Sequence, residues 1–132
     1  MKKKMALTKK DLRDTRRLLI KANQLLTKES WIQEEERLYA DELDETKCTH
    51  MCAIGAVMES RDQLRLSEAA YQTARKFLDD AVAIQWKKAH PEDNFLAADI
   101  VEYNDEFAQD VTDVKKVFAA ARRAVDREIL KQ

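Results

Sequence analysis

At 132 residues, with one Gly, one Pro, 37% charged and 45% hydrophobic side chains, the chain has the size of one domain and a composition suited to helix. Sheets and barrels need turns that Gly and Pro supply, so the composition points to an all-α fold: a compact single-domain bundle of five to six helices around a buried central helix at about residues 49–60. No stretch approaches the ~18 apolar residues of a membrane span, and two cysteines four positions apart cannot frame a secreted disulfide scaffold. A soluble, cytoplasmic protein with reduced thiols and no membrane contact is expected.

Net charge is −1, but the charge is unevenly distributed. Residues 1–21 carry nine basic side chains against Asp11 and Asp14, whereas residues 29–46 carry eight acidic ones against Arg37. Opposite blocks of this kind can pair within one molecule, pair across a homo-oligomer, or each face a separate partner.

In chain order, residues 1–7 read as a disordered basic N-terminus and residues 8–132 as one helical domain. The start has the basic flank of a signal peptide, but Thr8-Lys9-Lys10-Asp11 stands where the apolar core should follow. Thr8 is the expected N-cap of the first helix, with Asp11 in its first turn. Leu12, Thr15, Leu19, Ala22 and Leu26 recur at helical spacing as its buried stripe. Lys10, Arg13, Arg17 and Lys21 form a basic ridge on the same helix. The ridge lacks interleaved aromatics and a helix-turn-helix pattern, so nucleic acid is not the partner it indicates.

Residues 28–47 break the pattern and read as an irregular connection or a short helix, pinned through Trp31 and Tyr39 in an acidic background. Thr49 is then a plausible N-cap for a helix running to about Ser60, apolar nearly all round and hence central. Gly55 inside it implies close approach by another helix or a ligand. Leu66-Ser67-Glu68 opens the longest helix, whose apolar stripe of Ala70, Ala74, Phe77, Leu78, Ala81 and Ile84 continues as far as Trp86 before His90-Pro91 ends it. A short helix bears Leu96, Ile100, Tyr103 and Phe107. The last helix starts near Thr112 and buries Val114, Val117, Phe118, Ala121, Val125 and Ile129.

Cys52-Ala53-Ile54-Gly55-Ala56-Val57, preceded by Trp31-Ile32-Gln33 and followed by Tyr103-Asn104-Asp105 and the helix from Val114 to Ala124, resembles a family of small bacterial and phage proteins catalogued only as a domain of unknown function. The shared pattern is a Trp-containing turn, a Cys-x-x-Gly-Ala helix and an aromatic-Asn-Asp step, spanning roughly residues 12–125. Relatives carry more glycine around the Trp turn, where this chain has its acidic stretch. The resemblance implies a helical fold and a phage or mobile-element setting, with no known activity.

On a helix, His50 projects away from Cys48 and Cys52, so the three cannot share an ion; no metal and no cofactor are expected. A Cys52 nucleophile, its pKa lowered by the helix dipole, would need His50 or His90 as base and Asn104 or Asp105 to orient it. Free Cys more often packs as a small hydrophobe, so the expectation is a protein that is not an enzyme. A cleft lined by Trp31, Gly55, Tyr103, Asn104 and Asp105 could bind a small molecule such as a nucleotide, with cationic help from Arg13, Arg16 or Arg17. The leading expectation, from the setting the resemblance implies, is a non-enzymatic phage or prophage accessory protein that binds a host or phage protein, with countering a host defence as its candidate role. Its contact surfaces would be Lys10, Arg13, Arg17 and Lys21 on one side and Glu34, Glu35, Glu36 and Asp41 on the other.

Overall fold

The computed structural model describes residues 7–41, 44–89, 91–92 and 99–132, with the side chains of 40, 41 and 44–47 outside that description. Five α-helices and one hairpin are found among the described residues. They are α1 (Lys9–Leu25), β1 (Arg37–Asp41), β2 (Asp44–Met51), α2 (Ala53–Leu64), α3 (Glu68–Ala89), α4 (Ile100–Glu102) and α5 (Val111–Leu130). A π-helical turn over Tyr103–Phe107 extends α4. The bundle is mostly helical, as the composition requires.

Local sequence sets most helix ends. Thr8 caps α1 by accepting from the Asp11 N–H at 3.0 Å. Ser67 Oγ accepts from Ala70 N at the entry to α3. Asp110, two residues before the expected start, caps α5 through the Asp113 N–H. The exit of α2 needs a left-handed residue, and in a chain with a single glycine this role falls to Arg65 at φ 54°.

α1 packs against α2, α3 and α5, and α3 packs against α5. The core joins Leu12, Leu18, Leu19 and Leu26 to Val57, Leu78, Val82, Ile100, Val114, Val117, Phe118 and Val125. Residues Ala53 to Val57 of α2 are all buried. α1 and α5 run antiparallel, since Arg16 meets Asp126 at 2.8 Å while Lys115 Nζ donates to the Asn23 and Leu26 carbonyls. That lysine supplies the α1 C-terminus with donors its own helix cannot provide.

Two expectations are corrected. The connection after α1 is neither irregular throughout nor a short helix: β1 and β2 pair antiparallel, with Arg37 opposite Met51 and Leu38 opposite His50. Extra residues on β2 shift the register after Leu38 and again after Tyr39. The expected helix at 49–60 starts at Ala53, and Cys52 rather than Thr49 is its N-cap. Residues 48–51 are strand because Met51 pairs on two sides, with Arg37 and, in a parallel bridge, with Trp31. Both partners are distant in sequence, so local helix propensity loses to tertiary pairing.

Candidate functional site

The motifs shared across the chain converge on Asn104, which is fully buried on the π-helical turn. Its Oδ1 accepts from Trp31 Nε1 at 2.7 Å and from the Ala53 N–H at 2.9 Å. Its Nδ2 donates to the Ile32 carbonyl at 3.1 Å and to Asp105 Oδ1 at 2.9 Å. An Asn side chain offers two acceptor sites and two donors, so all four are engaged. One residue thereby joins the Trp turn, the start of α2 and the π turn.

The π turn brings further groups to the same junction. Its closing bond runs from Ala108 N to the Tyr103 carbonyl, leaving other carbonyls free of helical partners. Gln33 Nε2 takes two of these, donating to Asn104 O at 2.9 Å and Ala108 O at 3.2 Å. Asp105 Oδ1 accepts the Glu34 N–H at 2.8 Å, which holds Glu34 at φ 70°. A left-handed glutamate is strained, and the carboxylate contact offsets that strain.

Gly55 has a definite reason to be glycine. A Cβ there would lie 1.7 Å from the Glu36 carbonyl oxygen and 2.7 Å from its carbon. The approaching group is the hairpin's backbone, rather than the helix or ligand anticipated from sequence. The same carbonyl accepts the Cys52 N–H at 3.0 Å, so the segment before β1 is pressed onto the start of α2.

Cys52 Sγ accepts the Gly55 N–H at 3.4 Å as the N-cap of α2. Burial pushes this thiol up, outweighing the backbone N–H groups that would lower it. Of the two readings of this thiol, the dipole-lowered nucleophile is the one corrected: desolvation wins. Burial, and then Glu59, also push the Cys48 thiol up. His50 Nδ1 lies 2.9 Å from Thr49 Oγ1, and Cys48 Sγ donates to the His50 carbonyl. Because residues 48–51 are strand, the helical projection does not describe this trio; among the described residues, no three metal-ligating side chains come together. His90 and the side chain of Asp41 lie outside the described residues.

Of the five residues expected to line one cleft, Trp31, Asn104 and Asp105 are joined by hydrogen bonds, whereas Gly55 faces the Glu36 carbonyl. Tyr103 faces the other way, onto a cavity of about 350 Å³ with Gln85, Trp86, Ala89 and Phe107, where burial and then Asp113 push its phenol up. Arg13, Arg16 and Arg17 stand eight to twelve residues before the end of α1, about 12–18 Å of helix away from the Trp turn. Asp14 accepts from Lys10 at 2.8 Å and lies 3.7 Å from Arg17, so two of the four ridge cations share one internal carboxylate, and beside the ridge Asp126 holds Arg16. Glu34, Glu35 and Glu36 are exposed.

Sequence reasoning missed Arg37, which bridges buried Glu59 at 3.1 Å and Asp62 at 2.8 Å and so ties the hairpin to α2. Its one signal was its isolation as the lone base in an acidic stretch.

No curated protein and no solved structure matches the chain. A family model, described as Family of unknown function (DUF6197), matches residues 11–124 and so includes the Trp turn, the Cys-x-x-Gly-Ala helix and the Asn104 junction together. With most of its length so matched, the chain belongs to the DUF6197 family of unknown function.

Proposed function

We propose that the protein acts by binding another protein, presenting Glu34, Glu35 and Glu36 to a basic surface on its partner. The observation that carries this reading is the contrast between backbone and side chains in that turn. The Gln33 side chain, the Glu34 N–H and the Glu36 carbonyl are all tied into the Asn104 and Gly55 junctions, while the three carboxylates face solvent. A contact surface held in place before binding loses little conformational freedom on association, and its charge steers a basic partner towards it. The setting implied by the family resemblance makes a host or phage protein the natural partner class.

The junction beneath the turn favours this reading over ligand binding or catalysis. Asn104 has no hydrogen-bonding capacity left for a ligand, and the Cys52 thiol is engaged with the Gly55 N–H.

The test is native mass spectrometry of gently isolated protein beside the E34K/E35K/E36K variant. A basic protein retained by the parent and lost by the variant, at unchanged melting temperature, supports the reading. Equal retention by both, or retention of a nucleotide-sized mass in its place, removes it.

A further inference from the structure

A groove of about 350 Å³ runs between α3 and α5 and shares no residue with the Asn104 junction or the acidic turn. Its floor is apolar, from Phe77, Ala81, Ile84, Ala120 and Ala124. Ile84, expected on the apolar stripe that α3 buries, is instead 56% exposed, which leaves a large aliphatic side chain in water on a helix whose other face is core. Scattered exposed apolar residues need no explanation, but this one sits in a concave apolar trough between two helices.

The rim is charged. Lys88, Arg123 and Arg127 border the trough against a single acid, Asp80. Among the described residues, none of these four forms an ion pair. On the neighbouring face of α5, by contrast, Arg122 and Arg16 both meet Asp126. Arg123 and Arg127 are four residues apart on one helix face, where like charges repel. The helix thus keeps two unpaired, mutually repelling cations beside an exposed apolar floor, an arrangement that acidic groups from outside would relieve.

We propose that this groove docks an amphipathic helix of a partner protein, one whose apolar stripe is flanked by Asp or Glu. Two antiparallel helical walls form a trough into which the ridge of a third helix packs, and the groove's span along α3 from Phe77 to Lys88 is about 16 Å, or three turns. A second copy of the chain docking symmetrically would set the same cationic rim against itself, so the charge selects a partner of opposite sign. This surface is distinct from the acidic turn and takes a partner of the opposite charge.

The probe is a synthetic peptide of about four helical turns, with Leu at three-to-four-residue spacing and Glu on the flanks, beside a twin carrying Lys in place of Glu. Fluorescence anisotropy should show saturable binding of the Glu peptide, about tenfold or more tighter than its twin. I84E and R123E/R127E, both at exposed positions and checked for folding by circular dichroism, should each weaken it about tenfold or more. E34K/E35K/E36K should leave it unchanged, which separates this groove from the acidic turn. No saturable binding of the Glu peptide, equal binding of the two peptides, or insensitivity to both groove variants would overturn the proposal. Sedimentation as a dimer that I84E dissociates would assign the groove to a second copy instead, and likewise overturn it.

Discussion

Asn104 and Gly55 illustrate opposite ways for one residue to hold a junction together. Asn104 does it by bonding: removing its side chain leaves the Trp31 indole N–H and the Ala53 N–H without acceptors and the Ile32 carbonyl without a donor. Each buried group left unsatisfied costs about 1–3 kcal/mol, so Asn104→Ala should lower unfolding free energy by about 3–5 kcal/mol in urea titration. A loss within experimental error would mean that water replaces the amide and that the junction is looser than its geometry implies. Gly55 does it by absence. Gly55→Ala would gain about 1 kcal/mol of helix propensity in an open helix. Here the added methyl meets backbone atoms of Glu36, which cannot rotate aside, so a net loss of about 1–3 kcal/mol is expected. A more stable variant would show that the hairpin can move off α2 at little cost.

At the scale of elements, the hairpin is an appendage that the bundle holds by a few specific ties. Two strands alone are marginal in water. The parallel bridge at Trp31, the Glu36 carbonyl on α2 and the Arg37–Glu59 pair supply the rest. Glu59 is buried on α2, and Gln63 Nε2 donates to its other oxygen at 3.2 Å. Arg37→Met strands that carboxylate and should cost about 3 kcal/mol or more, whereas the double variant R37M/E59L, which removes both charges, should recover most of the loss. Urea denaturation of the parent, both single variants and the double variant forms a complete cycle. Additive losses would show that the two side chains act independently. The same ties explain why the acidic turn keeps its shape although its side chains face solvent, which is the basis for reading it as a contact surface.

For the molecule as a whole, the structural unit extends past the span that defines the family. Residues 11–124 are matched, yet α5 continues to Leu130, with Val125 fully buried, Ile129 packed on the core and Asp126 paired with Arg16. A chain ending at residue 124 should therefore be less stable by about 3 kcal/mol, from lost apolar burial and a shortened helix, as read by thermal denaturation. Unchanged stability would mean that the end of α5 is merely appended. The two surfaces with a functional reading, the acidic turn after α1 and the cation-rimmed groove between α3 and α5, carry charges of opposite sign on different elements. This division parallels the opposed charge blocks in the sequence only in part. Glu34, Glu35 and Glu36 of the acidic block do reach the surface, but Lys10 and Arg17 of the N-terminal basic ridge are paired within the fold, and the cations of the groove lie on α3 and α5.

What the amino-acid order determined alone was whatever depends on neighbours within a turn or two. The Thr8 and Ser67 caps, the end of α3 ahead of Pro91 and the buried stripe of α5 all follow from helical period and capping chemistry, because those interactions span four residues or fewer. The importance of Trp31, Gly55, Asn104 and Asp105 was also legible, as order and spacing of motifs. Their role was not. Trp31 bonds Asn104 across 73 positions, Arg37 and Trp31 flank Met51 from two directions, and Gly55 makes room for a carbonyl nineteen residues earlier. Only the tertiary structure decides such contacts. A strand at residues 48–51 exists because its hydrogen-bonding partners arrive from elsewhere in the chain, and a thiol at a helix start is raised or lowered according to how completely the rest of the fold excludes water from it.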